Sequence, residues 1–128
     1  MKTILFVCIE NSCRSQIAEA YANLYSKSKY QVMSAGSKPS GSVNPTAMKL
    51  MAELGLKMTG HYSKSIDTVV QNVDYLIFMG CGDSCPNVSA KARIEWEIPD
   101  PKDMNDKEFR EVIALIDKQV RNLIKNII

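Results

Sequence analysis

Four cysteines and one histidine stand out among the 128 residues as groups with covalent or metal chemistry. The cysteines are Cys8, Cys13, Cys81 and Cys85, and the histidine is His61. The segment from Cys8 to Ser15 reads CIENSCRS, a C-x5-R-S pattern that follows an apolar run and opens a stretch with helical spacing. A loop that wraps onto a helix N-terminus turns several backbone N–H groups inward, and the helix dipole adds positive potential. Arg14 supplies a planar fork that can grip two oxygens of a tetrahedral oxyanion. Cys8, Ile9, Glu10, Asn11, Ser12, Cys13, Arg14 and Ser15 are therefore expected to form an oxyanion cradle. Cys8 lies at its base, where the same field favours the thiolate and aims a nucleophile at the centre of the anion. Read only as a small buried residue at a strand end, Cys8 would leave Arg14 and the pair Ser12 and Ser15 unexplained. Asn11 tolerates left-handed dihedrals, and its side chain can tie the loop together. Cys13 reads as a loop residue packed on the core.

The other two cysteines stand in GCGDSCP, a C-x3-C spacing in which Gly80 and Gly82 are expected to make the loop mobile. The N-terminal run carries one lysine, then Glu10, and has no small-residue cleavage site, so it does not read as a signal peptide. In such a chain, thiols point to catalysis, redox work or metal binding more than to structural staples. A zinc site would need all four cysteines, or three with His61. C-x4-C with C-x3-C is not a usual finger spacing, and it would consume the cradle. A thiol at position 81 could reach the Cys8 sulfur if the Cα atoms come within ~7 Å. A thiol at 85 could then resolve that disulfide. Asp100 lies in PDP, where Pro101 restricts it to extended dihedrals and fixes the direction of its carboxyl. Partial burial and a nearby anion would favour the protonated form a general acid needs. The bland reading of Asp100 is a turn residue.

These groups need elements to hold them. Lys2–Cys8 reads as a buried strand, Gln16–Leu24 as a helix with Ile17, Ala20, Tyr21 and Leu24 on one face, and Tyr30–Ala35 as a second strand. Asn44 and Pro45 open a helix that ends near Gly55, with Ala47, Met48, Leu50, Met51 and Leu54 as its apolar stripe. Asp74–Gly80 and Ala92–Ile98 read as further strands, the latter carrying Trp96, and Asp106–Ile128 as a long amphipathic helix. The alternation implies an α/β fold, a four-stranded parallel sheet with helices on both faces. If the chain winds both ways from strand one, the strand order is 2-1-3-4, and the ligand crevice lies at the carboxyl ends of strands one and three. Cys8 ends the first of these strands and Cys81 follows the other.

Composition sets the limits. Hydrophobic residues make up 45% of the chain and charged residues 23%, as in an ordinary soluble globular protein. A single domain over residues 1–128 follows from the length. No apolar run approaches the ~20 residues of a membrane span. A net charge of +2 is too mild to imply a nucleic-acid partner.

With those residues in view, the chain resembles the low-molecular-weight tyrosine phosphatase fold, whose signature V-C-x-G-N-x-C-R-S-x-x-A-E is close to VCIENSCRSQIAEA. It is more similar to the thioredoxin-coupled arsenate reductases built on that fold. SAG at 34–36, VNPTA at 43–47, GHYSK at 60–64 and W-x-x-x-D-P at 96–101 fall in the matching order. Glu10 departs from the usual glycine.

The resemblance implies a reaction. Cys8 attacks arsenate with Asp100 protonating the leaving oxygen. Cys81 attacks Cys8 and releases arsenite. Cys85 then attacks Cys81, leaving an exposed disulfide for thioredoxin. The alternative is a phosphatase that hydrolyses phosphate monoesters through a Cys8 phosphocysteine, in which Cys81 and Cys85 would be idle. The expected setting is a cytoplasmic monomer without metal or organic cofactor, whose partners are arsenate or phosphate and, transiently, thioredoxin. Some of these reductases hold a potassium ion beside the loop. The matching positions are Asn11, Glu19, Ser34 and Lys64, and Lys64 stands where potassium-binding members have an aspartate. An ammonium there is expected to replace the ion and bond to Glu19 and Asn11. The bland reading of Lys64 is a solvated surface charge.

Overall fold

The structure, a computed structural model, describes residues 1–68, 72–80 and 88–127. Four strands form one sheet: β1 (Lys2–Cys8), β2 (Tyr30–Gly36), β3 (Asn72–Phe78) and β4 (Ser89–Glu95). Three helices accompany them: α1 (Arg14–Ser26), α2 (Pro45–Glu53) and α3 (Asp106–Ile127). The strand order is β2-β1-β3-β4 and every pairing is parallel, as the alternation predicts. Strand β1 is central and buried on both faces from Thr3 to Cys8, which explains its unbroken apolar run. The register pairs Cys8 with Gly36 and Val7 with Phe78. The carboxyl ends of β1, β2 and β3 therefore meet at one edge of the sheet.

The two faces are covered differently. Ile4, Phe6 and Ile77 share one apolar cluster with residues of all three helices, including Ile17, Met51 and Ile116. Leu5, Val7, Leu76 and Phe78 belong to a second cluster, joined by Ile66 of the short 3-10 turn Ile66–Thr68. Among the described residues, the expected helical cover on both faces reduces to this single turn on the second face.

Several boundaries differ from the sequence reading. Strand β3 starts at Asn72 and ends at Phe78, and β4 occupies Ser89–Glu95 instead of Ala92–Ile98. Alternating burial continues past Glu95 through half-buried Trp96 to buried Ile98, so the apolar pattern overshoots the strand. Pairing stops because β3 ends: the last backbone bond runs from the Trp96 N–H to the Phe78 carbonyl, 2.8 Å. Trp96 thus lies just beyond β4, packed at 5.9 Å against the Phe6 ring. In α1 the buried stripe runs through Ala18, Ala22 and Ser26, small residues that let the helix sit close, and Leu24 is 50% exposed. On α2, Ala47, Leu50 and Met51 are buried, but Met48 and Leu54 face outward. Asn44 caps α2 as expected, its side chain accepting from the Thr46 and Ala47 N–H groups at 2.8 and 3.1 Å, with Pro45 in the first turn.

Candidate active site

The loop between β1 and α1 is shaped by where its carbonyls go. Those of Cys8, Ile9 and Glu10 accept from the N–H groups of Ser37, Lys38 and Ser40. The Ser12 carbonyl accepts from Asn44 N–H, the Cys13 carbonyl from Ile17 N–H, and the Asn11 carbonyl from the Gln16 side chain. In a trans peptide the carbonyl of one residue and the N–H of the next point opposite ways. With six successive carbonyls tied to surrounding segments, the N–H groups of residues 9 to 14 turn inward. Helix α1 begins directly after, its N-cap Cys13 making no side-chain capping bond and its first turn holding no acidic residue. Its orphan donors and dipole are left for an anion.

One polar chain runs from the Lys64 backbone to the Cys8 sulfur. Asn11 is fully buried, with φ 51°, the left-handed geometry its residue type tolerates. The Lys64 backbone N–H can only donate, so the atom it meets at 2.9 Å is Asn11 Oδ1. Asn11 Nδ2 then donates to Ser15 Oγ, 2.8 Å. Ser15 Oγ also lies 2.8 Å from Cys8 Sγ, and its hydroxyl hydrogen can be donated to that sulfur when it is a thiolate. Cys8 is 2% exposed, with its sulfur at the foot of this chain. The same logic orients Gln16: its Nε2 donates to the Asn11 and Tyr62 carbonyls, so its Oε1 faces His61 Nδ1 at 2.8 Å and that nitrogen carries the proton. Burial lowers the His61 pKa; Glu19 opposes this and Lys64 reinforces it.

Arg14 is 6% exposed, with one guanidinium nitrogen on the Ile98 carbonyl at 3.2 Å and the other 3.7 Å from Asp100 Oδ2. Cys8, Arg14 and Asp100 line one cavity of 210 Å³, with Glu10, Ser12 and Lys102 among its other walls. The Asp100 side chain is 45% exposed rather than partly buried, because the turn that carries it stands at the cavity mouth. Burial pushes the Cys13 thiol up to about 12, with the Asp100 charge adding to the shift, so Cys13 stays a protonated packing residue.

Two glycines bring these parts together, and the sequence reading missed their role. A Cβ at Gly36 would stand 2.5 Å from the Ile9 carbonyl, so the SAG run is where β2 passes under the loop. Gly80, read from the sequence as a source of loop mobility, has φ +94° and lies against Arg14: a Cβ there would fall 2.3 Å from Nη1. Cys81 and Cys85 lie outside the described residues.

Beside the loop, Lys64 Nζ stands 3.3 Å from Ser34 Oγ, 3.2 Å from the Tyr62 carbonyl and 3.7 Å from Glu19 Oε1. Ser34 in turn donates to Glu19 at 2.5 Å. The ammonium lies among Glu19, Ser34 and the Tyr62 carbonyl, but the expected bond to Asn11 comes from the Lys64 backbone N–H instead, because the side chain runs on to Glu19. A potassium ion does not fit there alongside it, since two cations would share one buried pocket. Among the described residues, no group of three His, Cys, Asp or Glu side chains could hold a metal ion. No described helix is long and apolar enough to cross a membrane.

Residues 3–128 match the model of the low molecular weight phosphotyrosine protein phosphatase family. The glutaredoxin arsenate reductase of Synechocystis sp. is 36% identical over 131 aligned positions, covering 99% of each chain. A solved arsenate reductase in a phosphate-binding state superposes with a TM-score of 0.91 at 36% identity, covering both chains completely. A thioredoxin-dependent arsenate reductase of Corynebacterium glutamicum gives 0.82 at 33% identity, over 99% of this chain and 62% of that one. By this match over nearly the whole chain and by these identities, the chain belongs to the low molecular weight phosphotyrosine protein phosphatase family, in its arsenate reductase branch.

Proposed function

We propose that this protein reduces arsenate to arsenite with electrons from its own thiols. The observation that carries the reading is the hydrogen-bonded chain from Lys64 N–H through Asn11 and Ser15 to Cys8 Sγ, set at the base of a cradle that also holds Arg14. Inward amides and Arg14 neutralise the oxyanion and present arsenic to the sulfur. Cys8 forms an S–As bond, and the displaced oxygen leaves as water with a proton from Asp100. The Cys81 thiolate then attacks the Cys8 sulfur. The S–As bond breaks with its electron pair on arsenic, giving arsenite and a Cys8–Cys81 disulfide. Cys85 attacks Cys81 and expels the Cys8 thiolate, leaving a Cys81–Cys85 disulfide. The two electrons gained by arsenic are those lost by the two thiols, and a dithiol reductant of the thioredoxin class restores them. The roles of Cys81 and Cys85 rest on their positions in the sequence and on the relatives. The hydrolytic alternative uses the same cradle and leaves both of those thiols without a task.

The test is arsenate-dependent consumption of reductant, with thioredoxin and with glutathione plus glutaredoxin in parallel, since relatives carry both names. Turnover is expected in the thioredoxin arm. Cys8→Ser abolishes it, and Cys81→Ser and Cys85→Ser each stop it after at most one cycle. Turnover by Cys85→Ser at the parent rate would overturn the three-thiol relay.

A further inference from the structure

Glu10 puts a carboxylate in the middle of an anion-binding loop, where a second negative charge would repel the ligand. Its backbone is pinned, the carbonyl accepting from Ser40 N–H at 3.1 Å and from Ser63 Oγ at 2.8 Å. Its side chain crosses the cavity mouth to Lys102, whose Nζ lies 3.1 Å from one carboxylate oxygen and 3.4 Å from the other. Lys102 is two residues beyond Asp100, and its backbone N–H donates to Asp100 Oδ1 at 3.1 Å. The turn is closed by Met104 N–H on the Pro101 carbonyl at 2.9 Å. Within this turn Pro99, Asp100, Lys102 and Asp103 are exposed and only Pro101 is buried. Among the described residues, two side-chain bridges join the turn to the anion loop: Asp100 to Arg14, and Lys102 to Glu10. The first must yield when an oxyanion takes Arg14.

We propose that the Lys102–Glu10 pair is an ionic latch that holds the Asp100 turn over the cradle, making Lys102 and Glu10 positioning residues for the proton donor. The inference rests on the reading of Asp100 as that donor. The latch also cancels the Glu10 charge at the cavity wall. The hydrogen bond and charge of Glu10 raise the pKa of the Lys102 ammonium, so Lys102 stays charged at neutral pH.

The experiment is single-turnover arsenite formation by the fully reduced full-length chain, without thioredoxin, over a range of arsenate concentrations. Variants are Lys102→Met, Glu10→Gln, Asp100→Asn, the two corresponding doubles with Asp100→Asn, and Lys102→Arg. An exposed pair of this kind is worth about a two- to fivefold loss in the saturating rate. Lys102→Met and Glu10→Gln are both expected to show that loss. Their half-saturating arsenate concentrations should move apart, rising for Lys102→Met, which uncovers the Glu10 charge, and not for Glu10→Gln, which removes it. In the Asp100→Asn background neither should slow the reaction further, since two groups acting through one proton donor are non-additive. Lys102→Arg should restore the rate. A full additional loss in the double variants would mean that Lys102 acts on the anion directly, and would overturn the latch. So would an unchanged rate in Lys102→Met while Asp100→Asn is slow. An Asp100→Asn rate equal to the parent's would instead overturn the proton-donor reading, and a parent that forms no arsenite the reductase reading; the latch falls with either.

Discussion

Close approaches between backbone and side chains shape the candidate site. Gly80 is the sharpest case. Its φ of +94° is a backbone geometry that side chains rarely adopt, and the space a Cβ would need is occupied by the Arg14 guanidinium. Gly80→Ala therefore strains the end of β3 and displaces the anion's main cation. The strain costs on the order of 1–3 kcal/mol of stability. The loss of the bidentate grip should raise the half-saturating arsenate concentration at least tenfold, since a charge-assisted pair is worth about 1.5–3 kcal/mol. Denaturant unfolding and arsenate saturation of one preparation measure both. An unaltered arsenate dependence in a destabilised protein would show that Arg14 can retreat and still bind. None of this was legible in the sequence, because nothing local marks a glycine whose neighbour lies 66 residues away in the chain. Cys8, Arg14 and the left-handed Asn11 were legible, because their spacing and residue types act within one turn of chain.

At the level of elements, the sequence was read well where burial was continuous and less well at edges. The run KTILFVC matches β1 at both ends, and the periodic apolar positions of α3 from Phe109 to Ile124 are buried. Strand β4 was misplaced by three residues because its alternation carries on into Trp96 and Ile98 after its partner has ended. A cross-element link also escaped the reading: His61, through Gln16, ties the GHYSK segment to α1, with Glu19 and Lys64 the charged groups facing its ring. Burial lowers the folded-state pKa of His61 below the ordinary ~6.5 of the unfolded chain. Below about pH 6.5 the unfolded state then binds more protons than the folded state, so stability falls as pH falls through and below that value. Above about pH 7.5 the residue is neutral in both states and contributes no slope. His61→Gln, which can still donate to Gln16 Oε1, should flatten the decline between pH 7 and pH 5.5. Urea unfolding at three pH values checks this. Equal slopes for parent and variant would mean that Glu19 offsets burial and that folding leaves the ring's proton affinity unchanged; a steeper decline in the variant would mean that Glu19 outweighs burial.

For the molecule as a whole, the sheet order brings Cys8, Gly36 and Gly80 to one edge, and a cluster of buried charge locks that edge in place. Lys64 is the keystone of the lock. Its backbone N–H orients Asn11, and its ammonium lies among Ser34, Glu19 and the Tyr62 carbonyl, over the Tyr62 ring at 4.7 Å. The Lys64 side chain is only 14% exposed, so its charge is held inside the protein rather than solvated at the surface. A carboxylate in its place would leave Glu19 facing a second negative charge, a destabilising arrangement that a monovalent cation would relieve. Binding of such an ion to the folded state alone would raise stability in proportion to the logarithm of its concentration. Thermal melts in potassium chloride and sodium chloride at equal ionic strength separate this effect from screening, which both salts provide alike. The parent should melt at the same temperature in the two salts. Lys64→Asp should melt lower in both, and higher in potassium than in sodium. A potassium-specific rise in the parent would show that the ammonium does not occupy the cation's place, and that Lys64 leaves the cluster in solution.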